Sequence, residues 1–200
     1  GSYNLVVTAR DTDGLTDSDQ INFTINGIPS QPVIRIEPEP AYTVDELTLN
    51  IDTPSIDPEG NTVTYSYEWQ LGGVSQTSYT TSVPSSATNK GEQWTVYVTP
   101  NDGIADGLVG EASITIANTP PTAPAVSISP DPASGQDDLI CSVDVPSTDD
   151  DADPITYTYV WTDDAGIVQQ STTQVSATSD TFMASGTSEG TWTCEVTPSD

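Results

Sequence analysis

Carboxylates are the chemically active side chains that this sequence concentrates. They gather in four short stretches: DTDGLTDSD (11–19), SIDPEGN (55–61), NDGIADG (101–107) and STDDDADP (147–154). In each, acids alternate with Gly, Asn, Ser or Pro, the residues that build turns. Calcium takes roughly six to eight oxygens from flexible carboxylates, amides and backbone carbonyls, so loops of this composition suit it. The candidate ligands are Asp57, Glu59 and Asn61; Asn101, Asp102 and Asp106; Asp149, Asp150, Asp151 and Asp153 with Asp200; and Asp11 and Asp13, followed by Asp17 and Asp19. With no His and two Cys, zinc and copper fit poorly. The stretch DTDGLTDSD lacks the spacing and the final Glu of an EF-hand loop. The competing reading is that the acids are solvated, since an exposed Asp pair repels by only about 1 kcal/mol in water.

Other chemistry is excluded by residue type. Without His there is no Ser-His-Asp or Cys-His arrangement. No Gly-rich phosphate loop follows a strand and opens a helix. Paired carboxylates can cleave glycosides, but these sit in turns with no sign of a pocket that would raise a pKa. Lys90, in the turn TNKGE, is poorly placed for an intramolecular cross-link to Asn. Asn22-Phe23-Thr24 matches the three-residue glycosylation pattern. No enzyme is expected. Thirty acids face three bases, Arg10, Arg35 and Lys90, for a net charge of −27. That excludes nucleic acid as an expected partner and argues against docking on an anionic membrane surface. No apolar run approaches the ~18 residues of a spanning helix, so membrane insertion of this segment is not expected.

The elements that position the acids are strands. Four Trp, eight Tyr and alternating Val, Ile and Thr fit pleated, half-buried surfaces, and no apolar pattern holds a helical period. The fold class is all-β. Internal repetition organises it. DELTLNIDTPSIDPEGNTVTYSYEW (45–69) aligns without a gap on DDLICSVDVPSTDDDADPITYTYVW (137–161), an offset of 92 that sets Trp69 on Trp161 and Asp57 on Asp149. Downstream, WTVYVTPND (94–102) matches WTCEVTPSD (192–200) at offset 98, which places six extra residues, expected in loops, between the two Trp blocks. YNLVVTARD (3–11) matches WTVYVTPND at offset 91. The expected organisation is a closing two-strand hairpin of one repeat over 1–27, a complete repeat over 28–119, and a repeat lacking its last strand over 120–200. The ragged ends read as truncation, or as ends that neighbouring copies complete by strand addition. The Pro-rich junctions NGIPSQP (26–32) and NTPPTAP (118–124) stiffen the connections and predict a rod-like array.

The first copy, YNLVVTARDTDGLTDSDQINFTI, resembles the end of a cadherin-like or polycystic-kidney-disease-type repeat. The full copies, with DPEGNTVTYSYEW and GTWTCEVTPSD, resemble immunoglobulin-like repeats of large secreted and surface proteins of bacteria. The resemblance implies tandem immunoglobulin-like β-sandwiches of about seven strands each. It implies a Cys141–Cys194 bridge between sheets, packed on Trp161, whose order resembles the immunoglobulin Cys, Trp, Cys pattern. The preceding copy carries Leu49 and Val96 at the matching positions, an apolar pair where the other has cysteines. Trp69, Trp161, Trp94 and Trp192 are expected in the cores, with Tyr65, Tyr67, Tyr157 and Tyr159 on the parity of the strand tryptophans. A cystine implies an oxidising, extracellular or cell-surface location. In this sandwich the loops after the second and sixth strands share one end with the entering chain, so the acid loops and the linkers should converge.

The functional expectation is a non-catalytic structural or adhesive segment of a long extracellular surface protein or filament, stiffened by calcium, with neighbouring repeats as partners. The alternatives are a spacer or carbohydrate-binding module of a secreted enzyme, and a fibre segment of a phage.

Overall fold

A computed structural model describes all 200 residues, and the chain divides into two compact units, Gly1–Ala41 with Asp45–Ile116, and Tyr42–Val44 with Ala117–Asp200. The first unit opens with a hairpin, β1 (Ser2–Arg10) and β2 (Thr16–Thr24). Eight strands follow: β3 (Val33–Glu37), β4 (Ala41–Tyr42), β5 (Leu47–Thr53), β6 (Thr64–Leu71), β7 (Val74–Gln76), β8 (Ser82–Val83), β9 (Gln93–Asn101) and β10 (Gly110–Ala117). The second unit carries β11 (Ala125–Ser129), β12 (Leu139–Val145), β13 (Thr156–Thr162), β14 (Val168–Val175), β15 (Ser179–Phe182) and β16 (Thr193–Ser199). The fold is all-β, and the only helical turns are two three-residue 3-10 segments.

In the first unit a three-stranded sheet, β3-β5-β8, faces a five-stranded one, β4-β10-β9-β6-β7. Eight strands stand where seven are expected, and the prolines explain the extra one. Pro38 and Pro40 offer no backbone N–H, so the first strand cannot continue its ladder. The chain breaks after β3, which pairs with β5, and resumes as β4 beside β10 in the opposite sheet. Burial along β9 alternates strictly, with Trp94, Val96 and Val98 inside and their neighbours half-exposed, which is the period-two signature of a strand with one face on the core. Those residues meet Ile36, Leu47, Trp69, Val83 and Ile116 in one cluster, and Leu49 packs on its margin. The Trp69 indole N–H donates to the Thr80 carbonyl at 2.8 Å, so the buried ring leaves no orphan donor.

The second unit repeats this plan with sheets β11-β12-β15 and β14-β13-β16. Tyr157, Tyr159 and Trp161 are buried on β13, on the parity expected. A disulfide joins Cys141 on β12 to Cys194 on β16 and so crosses from one sheet to the other. Its counterparts, Leu49 on β5 and Val96 on β9, fill the same inter-sheet space with hydrocarbon. The extra residues go largely into a strand, and the turn before it also grows, from 72–73 to 163–167. β14 runs eight residues where β7 runs three, because its Thr and Gln residues extend the pairing with β13.

The hairpin keeps the register of the strands it resembles. Tyr3 faces Phe23 and Leu5 faces Ile21, as Trp94 faces Ile114 and Val96 faces Ala112. Burial differs sharply. Val96 and Val98 are fully buried, whereas Leu5 and Val7 are 52% and 62% exposed.

Candidate functional site

The acid loops of the first unit close around the chain that enters its sandwich. Asp57, in the β5–β6 loop, is buried, and its Oδ1 accepts the amides of Glu59 at 3.0 Å and Asn61 at 2.8 Å. Gly60 lies at φ 83°, a left-handed conformation that a side chain disfavours, and its amide closes the turn onto the Asp57 carbonyl at 3.1 Å. Glu59 reaches back to the linker, where its Oε2 accepts the Gly27 amide at 2.9 Å. Its Oε1 accepts from the Gly1 amino group at 2.9 Å. These two donors, the amino group first, hold the Glu59 carboxyl below its usual range. Asp102, buried in the β9–β10 loop, accepts the amides of Ile104 and Ala105 at 2.8 and 2.7 Å through Oδ1, and the Asn26 side-chain amide at 2.7 Å through Oδ2. The Ala105 amide, then Asn26, lower its pKa.

The second unit carries the same bonds at the repeat offsets. Asp149 Oδ1 accepts the amides of Asp151 and Asp153 at 2.9 and 3.0 Å. Asp151 Oδ2 takes the Thr119 amide at 2.6 Å, as Glu59 takes that of Gly27. Asp200 Oδ2 takes the Asn118 amide at 2.6 Å, as Asp102 takes that of Asn26. Tyr157 Oη accepts the Ser147 amide at 3.0 Å, as Tyr65 Oη accepts that of Ser55 at 2.8 Å. Each loop is therefore tied to the strand below by a tyrosine and to the incoming linker by a carboxylate.

One feature of this clasp points to a ligand. Four buried side-chain oxygens have no hydrogen-bond partner: Ser55 Oγ and Asp57 Oδ2, Ser147 Oγ and Asp149 Oδ2. They form two pairs related by the offset of 92. An orphaned buried polar atom costs about 1–3 kcal/mol, more for a charged group, so the same cost recurring in two copies calls for a partner. Around the second pair, Asp149, Asp151 and Asp153 place one oxygen each within 4.8 Å of one another. The donors are all oxygens, several of them charged, on short loops. This is the set a hard cation such as calcium takes.

The remaining candidate residues lie elsewhere in these loops. Asp106 accepts from the Asn101 side chain at 2.7 Å, and Asn101 Oδ1 takes the Gly103 amide at 2.7 Å, so these two form their own turn. Asp150 is exposed and outside the group of three. Asp11 Oδ1 accepts the amides of Asp13 and Leu15 at 3.0 and 2.8 Å and shapes the β1–β2 turn. Trp94 and Trp161 are buried, while Trp192 is half-buried against Phe182 with ring centroids 4.6 Å apart. Sequence reasoning missed Asn26, Asn118, Ser55, Ser147, Tyr65 and Tyr157 as parts of the loops' framework. The signal was available: Asn26 and Asn118, Ser55 and Ser147, and the two tyrosines all recur at the offset of 92.

No protein-family model matches the chain, and no curated protein matches it. Among solved structures it is similar to the FN1–FN3 domains of chicken CNTN1, at 16% identity over 96% of this chain and 70% of that one, TM-score 0.34. It is similar to a Ca2+-stabilized adhesin that helps an Antarctic bacterium bind ice, at 14% identity over 99% of this chain and 55% of that one, TM-score 0.36. It is also similar to a 1.5-MDa bacterial ice-binding adhesin, at 11% identity over 99% and 73% of the two chains, TM-score 0.31. Likenesses this distant add nothing to the strand pairing, which carries the fold on its own. No helix is long and apolar enough to cross a membrane.

Proposed function

We propose that the chain is a non-catalytic structural or adhesive segment of an extracellular repeat protein, organised as 1–27, 28–119 and 120–200, whose entry loops bind calcium. The observation that supports calcium best is the pair of orphaned buried carboxylate oxygens, Asp57 Oδ2 and Asp149 Oδ2, at equivalent places in two copies. Asp57, Glu59 and Asn61 would hold the ion in the first unit, and Asp149, Asp151 and Asp153 in the second, with Asp102 and Asp200 beside the linker. A bound cation supplies positive charge that a chain with three bases and thirty acids cannot supply itself. The Cys141–Cys194 disulfide supports an oxidising, extracellular setting.

The role of the ion is conformational. It offsets carboxylate repulsion and fixes the loops that already accept the linker amides of Gly27 and Thr119. Extracellular sites typically bind calcium near 10⁻⁴ M, so about 10 mM calcium adds roughly 2.7 kcal/mol per site. The test is a thermal melt at fixed ionic strength with calcium, with magnesium and with a chelator. A rise in midpoint specific to calcium is the expected result. Superimposable melts would leave the loops as solvated acidic turns and remove calcium from the reading.

A further inference from the structure

The linker into the first sandwich contains a reactive dipeptide. Of eight asparagines in the chain, Asn26 alone is followed by glycine. Glycine has no side chain to shield its nitrogen, which can therefore attack the side-chain carbonyl of the preceding Asn and close a succinimide ring. In that step the bond from Gly27 N to Asn26 Cγ forms, the Asn26 Cγ–Nδ2 bond breaks, and ammonia leaves with the proton of the Gly27 amide. Water then opens the ring at either carbonyl and leaves aspartate or isoaspartate. Nothing is oxidised or reduced, and the net exchange is a water taken up for an ammonia released.

The clasp holds both reacting groups. Asn26 Nδ2 donates to Asp102 Oδ2 at 2.7 Å, and the Gly27 N–H donates to Glu59 Oε2 at 2.9 Å. Both residues are half-buried, and their two acceptors stand on different loops. Ring closure turns the Gly27 nitrogen toward Cγ, which breaks its bond to Glu59. It also makes Cγ tetrahedral, which carries Nδ2 away from Asp102. Packing explains why the reactive pair is present. A Cβ at position 27 would lie 2.9 Å from Pro58 Cγ and 3.0 Å from Glu59 Oε2, so glycine is the residue that fits against this loop. In the second unit Pro58 aligns on the exposed Asp150, and Asn118 is followed by Thr119, whose branched side chain crowds the amide nitrogen. The two junctions share a hydrogen-bond pattern but not this reactivity.

We propose that Asn26-Gly27 is a self-modification site gated by the clasp. While the clasp is closed, the pair is protected. When the clasp is held open, Asn26 converts to aspartate or isoaspartate, and the junction cannot close as before. The new carboxylate faces Asp102, which is buried and already accepts the amides of Ile104 and Ala105, so a like charge stands where a donor stood. Isoaspartate also routes the backbone through the side chain, which moves the Gly27 amide out of register with Glu59. A reversible opening thereby becomes permanent. The hydrogen bonds involved need no cation, so the proposal is independent of calcium binding.

The test compares the 200-residue chain with a free peptide of the sequence Thr24–Ser30, both aged at mildly alkaline pH in chelator. Conversion is read by mass spectrometry of the tryptic peptide Asp11–Arg35, with the aspartate and isoaspartate forms separated by chromatography. Asn26 in the folded chain should convert at least ~100-fold more slowly than in the peptide, because two hydrogen bonds to carboxylates must first be given up. Asp102→Ala removes one of the two acceptors and should speed conversion at least ~10-fold. Urea added to the parent chain below its unfolding transition opens the clasp without a substitution, and conversion should rise in proportion to hydrogen exchange at the Gly27 amide. Asn26→Asp, which copies the aspartate product, should lose at least ~10-fold of the exchange protection at Gly27. Conversion of the folded parent at the rate of the peptide overturns the proposal. So does conversion that fails to follow Gly27 exchange, or protection in Asn26→Asp equal to that of the parent.

Discussion

Asp149→Asn should change the sign of its effect with calcium. Without the ion, the oxygens of Asp149, Asp151 and Asp153 lie within 4.8 Å of one another, so each pair repels by at least about 0.9 kcal/mol even at the dielectric of water. The substitution removes two of the three pairs, a relief of about 2 kcal/mol. It also removes the charge from a buried oxygen that nothing satisfies. Against this, the amides of Asp151 and Asp153 exchange a charged acceptor for a neutral one, a loss of about 0.5 kcal/mol each. The net expectation in chelator is a gain of about 1 kcal/mol. In saturating calcium the parent chain gains roughly 2.7 kcal/mol at a hundredfold excess over its dissociation constant, and the variant keeps little of it. The variant should then be the less stable by about 2 kcal/mol. For a unit of this size, 1 kcal/mol moves the midpoint by about 4–8 °C, so scanning calorimetry will see the two curves exchange order. A variant destabilised equally in calcium and in chelator would refute the reasoning, because Asp149 would then be acting only as the acceptor that shapes its turn.

Other perturbations test the framework. A Cβ at position 107 would lie 2.3 Å from the Pro29 carbonyl oxygen, a backbone atom that cannot swing away, so Gly107→Ala should cost about 1–3 kcal/mol in urea unfolding. Replacing Cys141 and Cys194 by Ser opens a loop spanning 53 residues, and the chain-entropy model puts the loss near 4 kcal/mol. The pair Cys141→Leu with Cys194→Val, which copies Leu49 and Val96, should recover part of that loss, and a midpoint no higher than that of the Ser pair would contradict the shared inter-sheet space. Backbone amides of Ala105, Ser134 and Ile167 respectively hold Asp102, Asp137 and Asp163 below the ordinary carboxylate range. Their contribution should be complete above about pH 4 and fade as pH falls through the lowered values, which an acid series of urea midpoints will register.

The repeat made much of this molecule legible. Counting offsets aligned Trp69 with Trp161 and Asp57 with Asp149, and alternation assigned the strands that carry them. The partners of the acids were harder to see. Asn26 meets Asp102 across 76 residues, and only the folded sandwich brings linker and loop together. The junctions drew attention for their prolines, which set stiffness, while the asparagines beside them do the bonding. The split first strand was hidden for a related reason. Pro38 and Pro40 say where a ladder must stop, but not that the next two residues will join the opposite sheet. The long β14 was missed because an insertion of Thr and Gln reads equally well as loop or as strand until a partner strand is there to pair with it.

The carboxylate grip on the linker amides also decides how the chain meets a pulling force. Tension entering from the N-terminal side reaches Gly27 or Thr119 before it reaches β3 or β11. At both places the backbone N–H is held by an acid whose loop is anchored further down by Tyr65 or Tyr157. Load is therefore shared between the clasp and the first strand, and that strand is not peeled away one hydrogen bond at a time. Protonating or neutralising Glu59 or Asp151 would move the weakest link to the start of the strand. Resistance to pulling is thus shared between a carboxylate clasp outside the hydrophobic core and the strand ladder that follows it.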